Sequence, residues 1–244
     1  MKIDINCDVG EGVLNEHLIM PYISSCNIAC GGHFGNANTI DKTLDLAINH
    51  NVKIGAHPSF PDRENFGRKL IQISDNDFEK SIHNQFRLFL DRLLKKNQKL
   101  HHIKPHGALY NAIAVDESLA KLFVKTIKRY LDDSFLYVPF QSKIEKVALQ
   151  ENINIKYEAF ADRNYTNDLK LVLRSEKNAL ITDSKIIASR IFKMVKNKTV
   201  DSITGEELRI LLDTVCIHSD TENAIAIAKE LHSNLVSKGM SIGF

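Results

Sequence analysis

Six polar clusters carry most of the residue types in this chain that could do chemistry. They are IDINCDVGEG at the start, then SSCNIACGGHFGN, VKIGAHPSFPD, LHHIKPHGALYN, YEAFADRNY and TVCIHSD. Each follows a short apolar run and sits where that run would end. Binding and catalytic groups of parallel α/β proteins collect at the C-terminal ends of the strands. A chain that loads His, Asp, Glu and Lys there, segment after segment, reads as an enzyme with one composite site.

Side-chain parity gathers these groups. Successive residues of a strand point to opposite faces. Asp4, Asn6 and Asp8 therefore share one face, as do Ser25 and Asn27, with His33 just past the strand end. Lys53, Gly55 and His57 share a face, as do His102, Lys104 and His106. Lys156, Glu158 and Asp162 align, and so do Cys216, His218 and Asp220. Three imidazoles and several carboxylates at equivalent strand ends are costly to bury without a purpose. Taken singly, each has a plainer reading, since a lone Asp at a strand end often caps the next helix. His17, His50, His83 and His232 fall on presumed helices or their ends and read as surface residues. His101 points to the wrong face.

His33, His57, His106, His218 and Asp8 are also ligand types for a divalent ion. No HExxH or comparable short ligand motif occurs, so metal-free acid–base chemistry is favoured over a catalytic metal. There is no GxxxxGK[ST] phosphate loop and no GxSxG nucleophile elbow.

The elements that must position these groups alternate strand and helix. The pattern predicts strands at 2–7, 25–30, 52–57, 101–105, 134–139, 155–160 and 213–218. It predicts helices at 15–22, 37–50, 74–97, 117–130, 141–150, 184–196 and 221–238. An extra strand pair is expected near 170–173 and 179–181, and a hairpin arm at 199–203. Alternation of this kind implies a parallel sheet. A doubly wound sheet buries both faces and should read as continuous apolar runs. Here one face is apolar and the other polar, as suits an irregular (β/α) barrel of about seven mostly parallel strands, built as a single domain over 1–244.

Bulk composition narrows the class. The 244 residues suffice for one large domain. Lys plus Arg is 32 against 30 for Asp plus Glu, which argues against a nucleic-acid surface. No apolar run approaches a membrane span and the N-terminus lacks a signal-peptide pattern, so a cytoplasmic protein is expected. Cys7, Cys26, Cys30 and Cys216 read as half-buried core thiols of a reducing compartment.

The six clusters, in this order, resemble the LamB/YcsF family, the 5-oxoprolinase A subunits. The family blocks appear as IDINCDVGEG, NIACGGHFGN, GAHPSFPDRENFGR, KPHGALYN, EAFADRNY and CIHSD. Two departures stand out: Asn36 replaces the family's Asp, and Ser219 replaces a Gly. The resemblance implies a barrel like that of the glycoside hydrolases and polysaccharide deacetylases. It implies ATP-dependent opening of 5-oxo-L-proline to L-glutamate, with Mg2+ and ATP shared with partner subunits B and C; a homo-oligomer stays open. Within that chemistry Asp8 is the first choice for general base and Glu11 the alternative. Lys104 would stabilise an oxyanion or phosphate, His106 would protonate the leaving nitrogen and His57 would orient water or substrate. Asn6, Asn27, His33, Asp162 and His218 line the substrate site, and Arg68 and Arg163 grip a carboxylate. Two rivals remain: a metal-dependent deacetylase or amidohydrolase acting alone, and a non-catalytic metabolite-binding subunit.

Overall fold

The computed structural model describes residues 1–243. Seven parallel strands close on themselves. They are β1 (Lys2–Val9), β2 (Ser25–Ala29), β3 (Lys53–His57), β4 (His102–Ile103), β5 (Phe135–Pro139), β6 (Ile155–Phe160) and, after a two-stranded arm, β9 (Thr214–His218). Neighbours pair in chain order from β1 to β6, then β6 pairs with β9, and β9 returns to β1. The arm is the antiparallel hairpin β7 (Thr199–Asp201) and β8 (Glu207–Arg209), and β10 (Ser241–Ile242) adds to the start of β1. Helices α1 (Glu16–Ile19), α2 (Ala37–Asn49), α3 (Asp75–Lys95), α4 (Gly107–Val115), α5 (Glu117–Ile127), α6 (Lys143–Gln150), α7 (Ser184–Asn197) and α8 (Ala224–Ser237) connect the strands. No described helix is long and apolar enough to cross a membrane.

The sequence dictates both faces of the barrel wall. The odd residues of β1, Ile3, Ile5, Cys7 and Val9, join the main apolar core with α2, α3 and α8 residues such as Leu44, Phe86 and Leu231. The even residues Asp4, Asn6 and Asp8 are also buried, but inside the barrel. Long helices begin on side-chain caps: Ser74 accepts from the Asp77 amide at α3, and Asp116 and Asp183 accept first-turn amides at α5 and α7. Asn36 opens α2 with a reciprocal capping box to Thr39. The departure from the family's Asp thus falls on a helix cap, where either side chain accepts the amide bonds, and not among the site groups.

The expected strands and helices are present, with three differences. The fourth strand shortens to His102–Ile103, and Pro105 has no amide to extend the ladder. Helix α4 is an addition to the expected elements, because GALYNAIAV is apolar almost all round and shows no stripe. The region 163–180 forms only isolated bridges, Arg163 with Leu180 and Tyr165 with Leu171. His17 and His50 are exposed as expected, whereas His83 and His232 are half-buried, His83 against the Tyr130 hydroxyl at 2.9 Å. All four cysteines are fully buried.

The lower half of the barrel interior is a polar plug. Asp4 accepts from Ser24 (2.6 Å), Ser25 (2.7 Å), Thr214 and Tyr137 (3.3 Å). Above it, His102 lies flat on Tyr137 with ring centres 4.0 Å apart and donates to Asn27 Oδ1 at 2.6 Å. That ring occupies the space a side chain on Gly55 would need: a Cβ there would stand 2.1 Å from His102 Nε2. Gly55→Ala should therefore displace the imidazole and break its bond to Asn27, costing about 1–3 kcal/mol. Urea unfolding should show a lower midpoint with unchanged slope; an unchanged midpoint would mean that the plug tolerates the methyl.

Candidate active site

Parity and register place the chemistry at the upper rim. Asp8 on β1 is level with Asn27 on β2 and His218 on β9, and Ala29 is level with His57 on β3. Lys104 and His106 follow β4 on either side of Pro105. Asp8, Glu11, His57, Lys104, His106, Glu158 and His218 all line a cavity of about 520 Å³, with Arg68, Arg163 and Arg174 among its outer residues. That volume is in the usual range for a small-molecule site.

Lys104 is the centre of the first group. Its side chain is 2% exposed, and its ammonium donates to Asp8 Oδ1 and Cys216 Sγ, both at 2.8 Å, with Glu158 Oε1 at 3.1 Å. Burial alone would push this ammonium down, but the Asp8 and Glu158 carboxylates outweigh it and hold it well above its ordinary range. Burial and the Asp8 charge push the Cys216 thiol far up, so its sulfur is a neutral acceptor. Asn6 and Asn27 join the group: Asn27 Nδ2 donates to Asp8 Oδ1 and Asn6 Oδ1, both at 2.7 Å, and Asn6 Nδ2 donates to Glu158 at 2.9 Å. Held by its hydrogen bonds to Asp8 and Cys216 and by the Glu158 ion pair, Lys104 is tied into the wall and is not a free donor for an oxyanion.

The second group is a chain of imidazoles and a carboxylate. His57 Nδ1 donates to the Lys104 carbonyl at 2.7 Å, and His106 Nε2 donates to the Phe66 carbonyl at 2.9 Å. Their remaining nitrogens, His57 Nε2 and His106 Nδ1, face each other at 3.0 Å. Glu11 Oε1 lies 3.3 Å from His106 Nδ1, 3.8 Å from His57 Nε2 and 2.8 Å from His33 Nε2. His33 stacks on His106, ring centres 3.7 Å apart and planes within 4°. Burial and the His106 charge push His33 down to about 3, and burial lowers His106. Glu11 is held in place by Glu16, whose Oε1 accepts the Gly10 and Glu11 amides at 2.7 and 3.2 Å. Gly12, at φ +84, makes room for the chain's own Phe34 ring: a Cβ there would meet it at 2.6 Å. The glycine is thus needed for internal packing and not for approach of a ligand.

Asp8 links the groups, with Oδ2 3.3 Å from His57 Nε2. Burial raises its carboxyl, but the His57 and Lys104 charges win and hold it well below the usual range. Glu11 is lowered too, by its bonds to His106 and His33 acting against burial. Both stay ionised at neutral pH and are weak proton acceptors, which weighs against either as general base.

The outer residues differ in freedom. Asp162 Oδ1 and Oδ2 each accept from His218 Nδ1 at 3.0 Å, and Thr221 donates to the same carboxylate. Arg68 is exposed, stands over the Phe66 ring and pairs with Asp220, which also meets Arg174 at 3.6 Å. Arg163 is buried, donates to the Val172 carbonyl and leaves its Nε without a partner. Burial and Arg174 lower it to about 10. Glu158, Cys216 and Arg174 are additions to the site expected from the sequence. Parity puts Glu158 and Cys216 on the inner face without assigning them a role, while Arg174 lies on an irregular segment that has no period to read.

The Asp162 carboxyl is brought to about 2 from an ordinary 3.8, His218 overcoming the cost of burial. A depressed carboxyl stabilises the fold above its unfolded value and loses that contribution as pH falls through its folded value. Stability should thus decline between about pH 4 and pH 2, with Asp162 contributing on the order of 2 kcal/mol. Asp162→Asn should be less stable than wild type at pH 7 and show a shallower acid decline. Equal acid slopes in chemical denaturation would remove Asp162 from this account.

Known proteins resemble this chain along its full length. The 5-oxoprolinase A subunit of Oceanobacillus iheyensis is 35% identical over 246 residues, 99% of this chain and 96% of the relative. That of Bacillus cereus strain B4264 is 37% identical over 247 residues, 98% and 97% of the two chains. The crystal structure of a lactam utilization protein from Thermus thermophilus superimposes with a TM-score of 0.92 at 32% identity, covering 100% of this chain and 99% of that one. The LamB/YcsF family model matches residues 3–243, and the chain belongs to that family.

Proposed function

We propose that this chain is the A subunit of an ATP-dependent 5-oxoprolinase and supplies the pocket in which 5-oxo-L-proline is opened to L-glutamate. The observation that carries the reading is the pairing of one rim cavity, dense in ionised groups, with full-length relatives that bear that subunit's name. The chemistry suits the pocket. A five-membered lactam is a stable amide. Phosphorylation of its carbonyl oxygen by ATP releases ADP and makes the ring carbon open to water. The C–N bond then breaks, the nitrogen takes a proton, and a second water releases phosphate from the acyl phosphate.

Two parts of the cavity fit two parts of this substrate. The arginine rim of Arg68, Arg163 and Arg174 suits its carboxylate and the transferred phosphoryl oxygens. The inner wall needs a positive charge between His57 and His106, because both other ring nitrogens already serve as donors to carbonyls. Two facing lone pairs at 3.0 Å repel unless a cation lies between them. In its simplest form that cation is a proton, with Asp8 and Glu11 as counter-charges. It stands where a carbonyl oxygen gaining negative charge would be stabilised and where a leaving nitrogen would find a proton. Asp8 acts here as the counter-charge to Lys104 and to that cation.

The B and C chains complete the enzyme in this reading, and nucleotide handling with Mg2+ is shared with them. Glutamate release from 5-oxoproline and ATP should be robust in the three-subunit assembly and near background with this chain alone. Vigorous turnover by the single chain would favour a hydrolase acting alone. In the assembly, Asp8→Asn leaves Lys104 and His57 short of a counter-charge and should cut turnover roughly 10²–10⁴-fold. A near-wild-type rate for that variant would move the reaction away from this wall.

A further inference from the structure

We propose that Glu11, His57 and His106 form a binding site for one divalent transition cation of the zinc class. The three donor atoms make a triangle with edges of 3.0, 3.3 and 3.8 Å. A point equidistant from three atoms so spaced lies about 2.0 Å from each, which is the length of a zinc bond to imidazole or carboxylate. The His57 and His106 rings stand at 86° to each other, so two in-plane lone pairs converge on one point without stacking.

The surroundings match what a metal site needs. Each ligating imidazole is oriented by a carbonyl on its far nitrogen, Lys104 for His57 and Phe66 for His106. Those bonds fix the tautomers that leave Nε2 and Nδ1 free for an ion. His33 belongs to the supporting shell. Its ring lies parallel to His106 at 3.7 Å, so no ion can lie in both ring planes, and His33 instead holds Glu11 Oε1 at 2.8 Å. Glu11, His57 and His106 line the cavity whereas His33 does not, which leaves the ion an open side towards substrate. Three protein ligands and one open position is the pattern of catalytic zinc.

A second group, Asp8, Cys216 and His218, also brings donor atoms together. There the Lys104 ammonium is 2.8 Å from the sulfur and would repel a cation, so the first group is the site. The ion replaces the proton between His57 and His106 and meets the same need for positive charge. Resting on the reading of the cavity as the lactam site, its open position is where a carbonyl or phosphoryl oxygen would be polarised.

The test uses the full chain, stripped with a chelator, dialysed and titrated with Zn2+ by calorimetry, with thermal unfolding alongside. Wild type should bind about one Zn2+ per chain and gain thermal stability. Co2+ in its place should give the visible absorption of a low-coordinate site. Glu11→Gln and His57→Ala should each weaken Zn2+ binding at least ~100-fold, and His33→Phe about 10- to 100-fold. His218→Ala should bind as wild type. Circular dichroism checks that each variant is folded, and Glu11→Gln, nearly isosteric, carries the test if His57→Ala unfolds. The proposal is overturned if stripped wild type binds no more Zn2+ than Glu11→Gln, or if His218→Ala abolishes binding while Glu11→Gln keeps it. None of these measurements needs ATP, lactam or partner chains. A failed titration leaves the lactamase reading standing, and an absent lactamase activity leaves the metal site standing.

Discussion

A lysine ammonium enclosed in a barrel is the constraint on which the other features depend. Lys104 cannot be buried without counter-charges, and stripping an ion of its water costs several kcal/mol even after relaxation. Its partners come from three strands: Asp8 on β1, Glu158 on β6 and Cys216 on β9. β1, β6 and β9 are the strands that close the cylinder. The charge cluster therefore rewards closure and penalises an open sheet, in which one of these partners would be left unpaired. The same cluster fixes Asp8 in orientation, with Oδ1 given to Lys104 and Asn27, so that Oδ2 is left for His57.

From there the interior divides into two levels with different work. Below, Asp4, Ser25, Thr214, Tyr137 and His102 satisfy one another and fill the barrel with polar groups that never meet the cavity. Above, Glu11, His57 and His106 keep donor atoms that nothing in the chain fully satisfies. A buried network with every member paired is stable and inert; one that lacks a cation at a defined point is poised to accept one. The contrast is clearest in the two strand-4 imidazoles. His102 donates from Nε2 to Asn27 and accepts at Nδ1 from His101, and both nitrogens are used. His106 has one nitrogen on a carbonyl and the other facing His57.

Much of this could be read from the sequence, because a strand has a period of two and the inner face of a closed barrel is unambiguous. Asp4, Asn6, Asp8, Asn27, His102, Lys104 and His218 fall inside, as parity requires. Position was legible where role was not. Asp4 and Asp8 lie on one face of one strand, yet hydroxyls surround the first and cations the second. Burial with only hydrogen bonds to help raises Asp4, whereas His57 and Lys104 lower Asp8. The hydroxyls around Asp4 come from 20 to 210 residues away in sequence, and no local pattern names them. Parity brought His57 and His106 to one rim, but their close triangle with Glu11 was hidden, since no two of the three share a helix turn or a short motif. Helix α4 lacked an apolar stripe to betray it, and Arg174 lacked any period at all.

The distribution of charge then sets the mouth of the cavity apart from its floor. The inner carboxylates Asp8, Glu11 and Glu158 are each matched by Lys104 or by imidazoles within 4 Å. At the mouth, Arg68 and Arg174 share the single carboxylate of Asp220, and Arg163 meets only a backbone carbonyl. Asp162 is close by in sequence but is spent on His218 and Thr221. The mouth thus carries guanidinium charge that its own acids do not cancel, above a floor that is locally balanced. Low-dielectric walls concentrate that field along the cavity axis. In the proposed reading, such a field draws a small carboxylate to the rim by its acid group. On that reading its less polar ring is left to face the inner wall at His57 and His106, where the proposed cation would meet whichever atom gains negative charge.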